Sequence, residues 1–157
     1  MESALMEVGL VGIPCFLMAA LCVAIFYEIM AHVWVWIPRY EGRPRTQIFV
    51  TVFGIFTAHT ACIWVFGMGF YVMEHILHLG TLVGPHNEQL VSYIYFTAST
   101  YSTVGFGDLY PTGALRMLSS VVAITGLLLI GWSVAFTYVM TDRYLVHKSS
   151  RKGSGGQ

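Results

Sequence analysis

Residues Thr100 to Asp108 read Thr-Tyr-Ser-Thr-Val-Gly-Phe-Gly-Asp, a run of oxygen donors punctuated by two glycines. The chemistry such a run offers is coordination rather than bond making. A cation stripped of its water needs a shell of oxygens, and flexible carbonyl dipoles stacked in rings can supply one. For successive carbonyls to point the same way, alternate residues must leave the usual φ region. Glycine does this without steric penalty, which accounts for Gly105 and Gly107. Thr103 adds a hydroxyl oxygen at the inner mouth of such a strand. The Ser/Thr/Tyr-rich segment before it, from about Gln89 to Ser102, reads as a short helix. Its C-terminal end, worth about half a negative charge, is aimed at the same centre. One chain cannot surround an axis, so four copies must each give one strand.

The elements that position this run follow from composition. The 157 residues are 56% apolar and only 10% charged. A soluble domain carries roughly 25% charged residues, and eight basic plus eight acidic side chains cannot clothe one in water. No basic patch exists to hold a nucleic acid. Three stretches, Val8 to Tyr27, Thr46 to Met73 and Met117 to Thr141, carry no Asp, Glu, Lys or Arg. Each reaches the roughly 20 residues that a spanning helix needs. The hydroxyl-rich stretch from Gln89 to Gly107 would face lipid poorly, and irregular backbone at membrane depth is tolerated only where protein covers it or water fills a path. It reads as re-entrant. Cys15, Cys22 and Cys62 lie inside apolar runs and read as small hydrophobes.

Every Lys and Arg except Arg116 falls on one side if the spans alternate: Arg39, Arg43 and Arg45 on one loop, Arg143, Lys148, Arg151 and Lys152 after the last span. The positive-inside rule makes that side cytoplasmic, with the N-terminus and the re-entrant segment outside. Trp34, Trp36 and Tyr40 suit the inner interface, and Tyr71, Tyr93 and Tyr110 the outer one. The expected fold is an all-α membrane protein with three transmembrane helices plus a re-entrant helix and loop per subunit. Its expected parts are a first transmembrane helix over 1–37, a basic cytoplasmic loop over 38–46, a pore module over 47–141 and a flexible cytoplasmic tail over 142–157. Within the module an outer helix covers 47–78, a short helix 90–102, the oxygen-rich strand 103–108 and an inner helix 114–141.

The Thr103-Val-Gly-Phe-Gly-Asp108 segment, between two spans and preceded by its short helix, resembles the selectivity filter of the potassium channel pore-domain family. The resemblance runs from Thr46 through Met140. With the extra first span, the phrase Gly126 to Phe136 is similar to small bacterial channel proteins having three spans and one pore loop. The resemblance implies passive, potassium-selective conduction through a C4 homotetramer in a bacterial plasma membrane, with K+ as permeant ion and membrane lipids as surroundings. It implies coordination of K+ by Thr103, Val104, Gly105 and Phe106, mainly through carbonyls, with no enzymatic step. Gly126 takes the family's hinge position, and Leu127, Ile130, Val134 and Tyr138 continue a face expected to line the cavity and gate. In much of the family the filter aromatic is Tyr, bonded to a Trp on the pore helix. Here Phe106 replaces the Tyr and Phe96 stands at the facing position, so ring contact between them is the expected substitute. Gly107 and Asp108 close the strand. Tyr95 takes the other Trp position and is the expected donor to Asp108. Ser99 stands where one well-known channel has Glu, which removes a carboxyl pair with Asp108.

Other titratable residues carry weaker signals. Glu28 and His32 sit one turn apart near the inner end of the first span, suited to interface pairing or to a regulatory role. His59, about 21 Å of helix beyond Arg45, reads as a neutral imidazole bonded to a neighbouring helix. Glu74, His75 and His78 crowd the outer end of the second span, and their spacing puts Glu74 and His78 on one face, a weak signal for a zinc or proton site. A haem protein would need histidines paired at matching depth, and His59 and His32 do not match. A non-selective cation channel and a non-conducting assembly partner on the same fold stand as alternatives. No span carries a Lys/Arg ladder of the kind that senses voltage, and the opening stimulus is left open.

Overall fold

The computed structural model of the chain describes residues 2–36, 44–85 and 89–153, with side chains described for 11–36, 45–85 and 89–142. Its elements are helix α1 (Glu2–Trp36), helix α2 (Pro44–His75), strand β1 (Leu82–Val83), helix α3 (Leu90–Tyr101), strand β2 (Tyr110–Pro111) and helix α4 (Leu115–Gly153). Val11–Trp36, Arg45–His75 and Leu115–Asp142 are long and apolar enough to cross a membrane. The chain is an integral, all-α membrane protein. Arg39, Tyr40 and Arg43 of the expected basic loop, and the last four residues of the expected tail, lie outside the described residues.

Hydrocarbon offers no partner to a bare amide, and a helix bonds all of its own. Many hydroxyls within the spans follow the same rule, although the buried Ser119 hydroxyl has no partner among the described residues. Thr51, Thr57, Thr60, Ser133, Thr137 and Thr141 each donate to the carbonyl four residues back, at 2.8 to 2.9 Å. Pro44 opens α2 at the position where its missing N–H is harmless. The helix ends at His75, not at the expected residue 78. His78 sits beyond it with φ of 51°, a conformation in which His is enriched, and the Leu79 amide reaches back to the Met73 carbonyl at 3.0 Å. At the far end α4 runs on to Gly153 instead of stopping at 141, so most of the expected flexible tail is helix. No Pro or Gly interrupts the sequence from Trp132 to Lys152.

The two spans of the pore module enclose α3. A Cβ added at Gly67 of α2 would lie 2.8 Å from Ile94 Cδ1 and 3.3 Å from its Cα, so only glycine lets α3 approach this closely. Phe70 meets Phe96 edge-on, with centroids 5.2 Å apart. Tyr93, expected at the outer interface, is instead fully buried beside Tyr71 and His75. A short antiparallel pairing of β1 with β2, in the register Leu82 with Pro111 and Val83 with Tyr110, ties the loop after α2 to the segment after the oxygen-rich run. Thr112 accepts the Thr81 amide through its side chain and donates its own amide to the Thr81 carbonyl. Glu74 holds the start of this hairpin, its carboxylate accepting the Leu82 amide at 2.9 Å.

Helix α1 lies against both α2 and α4. Small residues set the spacing, as they do where lipid supplies no hydrophobic drive between helices. A Cβ at Gly54 would collide with Val33 Cγ2, a methyl of a β-branched side chain whose χ1 is restricted in a helix. Gly54→Ile is therefore expected to push α1 off α2 and to destabilise the protein by about 1–3 kcal/mol. Thermal unfolding of the detergent-solubilised protein measures this. An unchanged midpoint would mean that α1 is not seated on α2 at this point.

Candidate ion-coordinating site

The site is built from Ser99 outward. Its carbonyl accepts the amides of Val104 at 3.0 Å and Gly105 at 3.1 Å, and its hydroxyl accepts the Phe106 amide at 3.2 Å. The Thr103 amide goes to the Thr100 carbonyl at 3.0 Å. Four successive amides thus turn toward α3. Among the described residues no hydrogen bond ends on a carbonyl of Thr103, Val104, Gly105 or Phe106. Thr103, Gly105 and Gly107 have φ of 61°, 57° and 79°, so every second residue is left-handed. Such alternation turns successive carbonyls to one side, as expected for the two glycines. Thr103 is the surprise, since a side chain in this region costs roughly 1–2 kcal/mol.

Around the strand the expected partners are partly rearranged. The Tyr95 hydroxyl donates to Asp108 Oδ2 at 2.9 Å, the contact expected from the sequence. The carboxylate that accepts it raises the Tyr95 phenol above its ordinary range. The expected ring contact between Phe106 and Phe96 is not made within the chain. Phe96 points into the core against Phe70, while Phe106 stacks parallel to Tyr95, 6.3 Å away with 4° between the planes. Phe96 takes this place because α3 turns its apolar side toward α2. Ser99 counts from the sequence among the residues supporting the strand, with the loss of a carboxyl pair as its one stated effect; the bonds it makes are given by the structure. A hydroxyl one turn before the strand, in the run Ser99-Thr100-Tyr101-Ser102, is the signal for its amide-binding role.

Within the single chain the strand is open: Val104 is 57% and Phe106 68% exposed. Along α4, Leu118, Val122, Leu129 and Ser133 turn inward and are buried. Leu127, Val134 and Tyr138 lie on the opposite side and are exposed, with Ile130 half-buried between. Gly126 does not belong with them. It is buried where α4 crosses the end of α3, and a Cβ there would stand 2.0 Å from the Tyr101 carbonyl oxygen. The helix runs through Gly126 without a break, and the missing Cβ permits this close approach.

His59 bonds both neighbours, Tyr101 on α3 and Ser133 on α4, each at 2.9 Å. Cys22 and Cys62 face each other, each thiol directed at the other's carbonyl, at 3.9 and 3.5 Å. His32 bonds the Glu28 carbonyl, not its carboxylate, at 2.7 Å. The His75 ring stacks on Tyr71, and His78 lies beyond the end of the helix, so Glu74 and His78 do not share a helix face. No cluster able to hold a metal occurs among the described residues. Arg116 is exposed in the first turn of α4.

Three spans, a helix that enters without crossing and a strand of alternating handedness with free carbonyls make up the pore module of an ion channel. The family model described as "Ion channel" matches residues 48–142, more than half of the chain, and the chain belongs to that family. No curated protein and no solved structure matches it.

Removing either support should harm ion flux unequally. Ser99→Ala leaves the part-buried Phe106 amide without its acceptor, a loss on the scale of one hydrogen bond, about 0.5–1.5 kcal/mol. Tyr95→Phe deletes a strut whose two ends are solvent-exposed in the single chain. Liposome flux is expected to fall further for Ser99→Ala than for Tyr95→Phe. The reverse order would mean that Asp108, not Ser99, sets the strand's shape.

Proposed function

We propose that four copies of the chain assemble around an axis into a potassium-selective pore that conducts passively down the electrochemical gradient. Thr103, Val104, Gly105 and Phe106 supply rings of carbonyl oxygens, with the Thr103 hydroxyl at the inner mouth, and K+ is the permeant ion. The single observation that carries the reading is the alternation of left-handed residues at Thr103, Gly105 and Gly107, with the intervening amides bonded to Ser99 and Thr100. A strand that binds its amides on one side presents its carbonyls to the other. A dehydrated cation meets dipoles there in place of water, and the number and field of those dipoles favour one ion over another. The end of α3, partially negative, faces the same region. No bond is made or broken, so the protein is a channel and not an enzyme.

Exposure supports the assembly. An open strand and the open Leu127, Val134 and Tyr138 side of α4 are what one quarter of a pore would leave uncovered. The excess of Lys and Arg on one side of the spans supports a cytoplasmic end of α4 and a filter near the outside. Gly107 and Asp108 close the outer end, tied through Tyr95 and the β1–β2 pairing.

Gly105→Ala is the direct test. With φ of 57°, a Cβ costs roughly 1–2 kcal/mol per subunit, repeated four times around the ring. Potassium flux in liposomes should be lost while the protein still reaches the membrane as a tetramer. Equal K+-over-Na+ flux in this variant and in the unaltered protein would reject the filter assignment, and a ratio near one in both would make the pore a non-selective cation channel.

A second measurement addresses the cavity. Cysteines placed at Val134 and Tyr138 should react with water-soluble thiol reagents added from the cytoplasmic side and change the flux. Unreactive cysteines at both sites in a conducting channel would move the cavity to another side of α4.

A further inference from the structure

We propose that His59 is a positioning residue that joins the foot of the filter to α4 through a directed relay of hydrogen bonds, so that the two move as one. The proposal rests on the channel reading above and adds to it the means by which movement at one end of α4 reaches the ion site.

Counting protons gives the relay its direction. The Ser133 hydroxyl has one proton and lies 2.8 Å from the Leu129 carbonyl and 3.0 Å from that of Ile130. That proton is committed to the backbone four residues back, so toward His59 the Ser133 oxygen accepts. Nε2 of His59, 2.9 Å away, is then the nitrogen that carries hydrogen. A neutral imidazole has one donor and one acceptor, which leaves Nδ1 to accept from the Tyr101 hydroxyl at 2.9 Å. The chain of donors runs from Tyr101 on α3 through His59 on α2 to Ser133 on α4 and ends on a helix carbonyl. All of its members are satisfied, and bonds in such a chain polarise one another.

Tyr101 is where this relay meets the filter. It is the last residue of α3, two positions before Thr103, and it is buried. Its carbonyl is pressed against Gly126 of α4, so closely that any side chain there would collide. The same residue is therefore fixed to α4 twice: directly at Gly126, and through the imidazole at Ser133, roughly 10 Å further along the helix. A tilt of α4 beyond Gly126 carries Ser133 with it, and the ring transmits that shift to the hydroxyl of Tyr101. Helix α1 closes the arrangement. Phe26, fully buried, covers the imidazole with centroids 5.1 Å apart and touches Trp132 at 5.7 Å, which keeps lipid tails off the polar ring.

Single-channel recording in planar bilayers tests this. Tyr101→Phe and Ser133→Ala each delete one hydroxyl and nothing else. Each is expected to change the open probability by at least about threefold, the scale of one lost hydrogen bond, while the unitary K+ conductance stays that of the unaltered protein. Because either deletion frees the ring, the double variant should match the single ones; non-additivity of this kind marks groups acting as a unit. His59→Gln, which keeps an amide donor and acceptor, should retain more of the original open probability than His59→Leu. A purely structural role would lower the tetramer's melting point and leave the open probability alone. Unchanged open probability in both hydroxyl variants, or additive effects in the double variant, overturns the relay. Should His59→Leu fail to fold, the two hydroxyl variants still decide. An unaltered protein that carries no current at all overturns the channel reading instead.

Discussion

Everything near the ion site depends on where four amides go. A strand at membrane depth has no water to bond, and an unpaired N–H there costs several kcal/mol. Ser99 answers this with one carbonyl and one hydroxyl, which between them take three consecutive amides, while Thr100 takes the fourth. Two results follow from one arrangement. The backbone is satisfied on the side of α3, and its carbonyls are left to the other side. The left-handed residues are the geometric condition for this, and the glycines at 105 and 107 meet it without strain. Thr103 meets it at a cost, which the supporting bonds must offset.

The pieces that hold α3 in place are correspondingly tight. Gly67 lets α2 touch its backbone, Gly126 lets α4 touch its last carbonyl, and the β1–β2 pairing fixes the chain where it leaves the strand. None of these contacts is a large side chain filling a pocket. They are backbone approaches permitted by missing Cβ atoms, as suits a setting where apolar burial gives little drive between helices. Rigid supports thus hold a strand that is open and uncovered in the single chain.

Much of this was legible in the sequence because the governing constraints are local. Lack of charge over a span-length stretch marked the three helices, Gly105 and Gly107 marked the special backbone, and the resemblance to the pore family paired Tyr95 with Asp108. What escaped depended on three-dimensional choices that spacing does not encode. The rotation of α3 decided that Phe96 faces Phe70 and that Tyr95 faces Phe106. The ends of α2 and α4 were set by a left-handed His78 and by an uninterrupted run of residues able to stay helical, neither announced by a change in hydropathy. The contact of Gly126 with the end of α3 was not signalled by its place in the sequence. Thr103 has a β-branched side chain, which argues against the left-handed region it occupies, and only the demand for alternation explains it.

The aromatic residues beside the strand divide its support between them. Phe106 carries no hydroxyl, so the strand cannot be held out through its own ring. The hydroxyl sits instead on Tyr95, whose ring lies parallel to Phe106 while its oxygen bonds Asp108. One side chain on α3 thereby supports the strand at two points, by ring contact at residue 106 and by a charge-assisted bond at residue 108. Such a bond is stronger than a neutral one, yet Tyr95 and Asp108 are exposed in the single chain. Its strength must therefore depend on what covers that surface. In the proposed assembly neighbouring copies would close over it and exclude water, and the bond would then stiffen the strand through a pair that in one chain alone is only a surface contact.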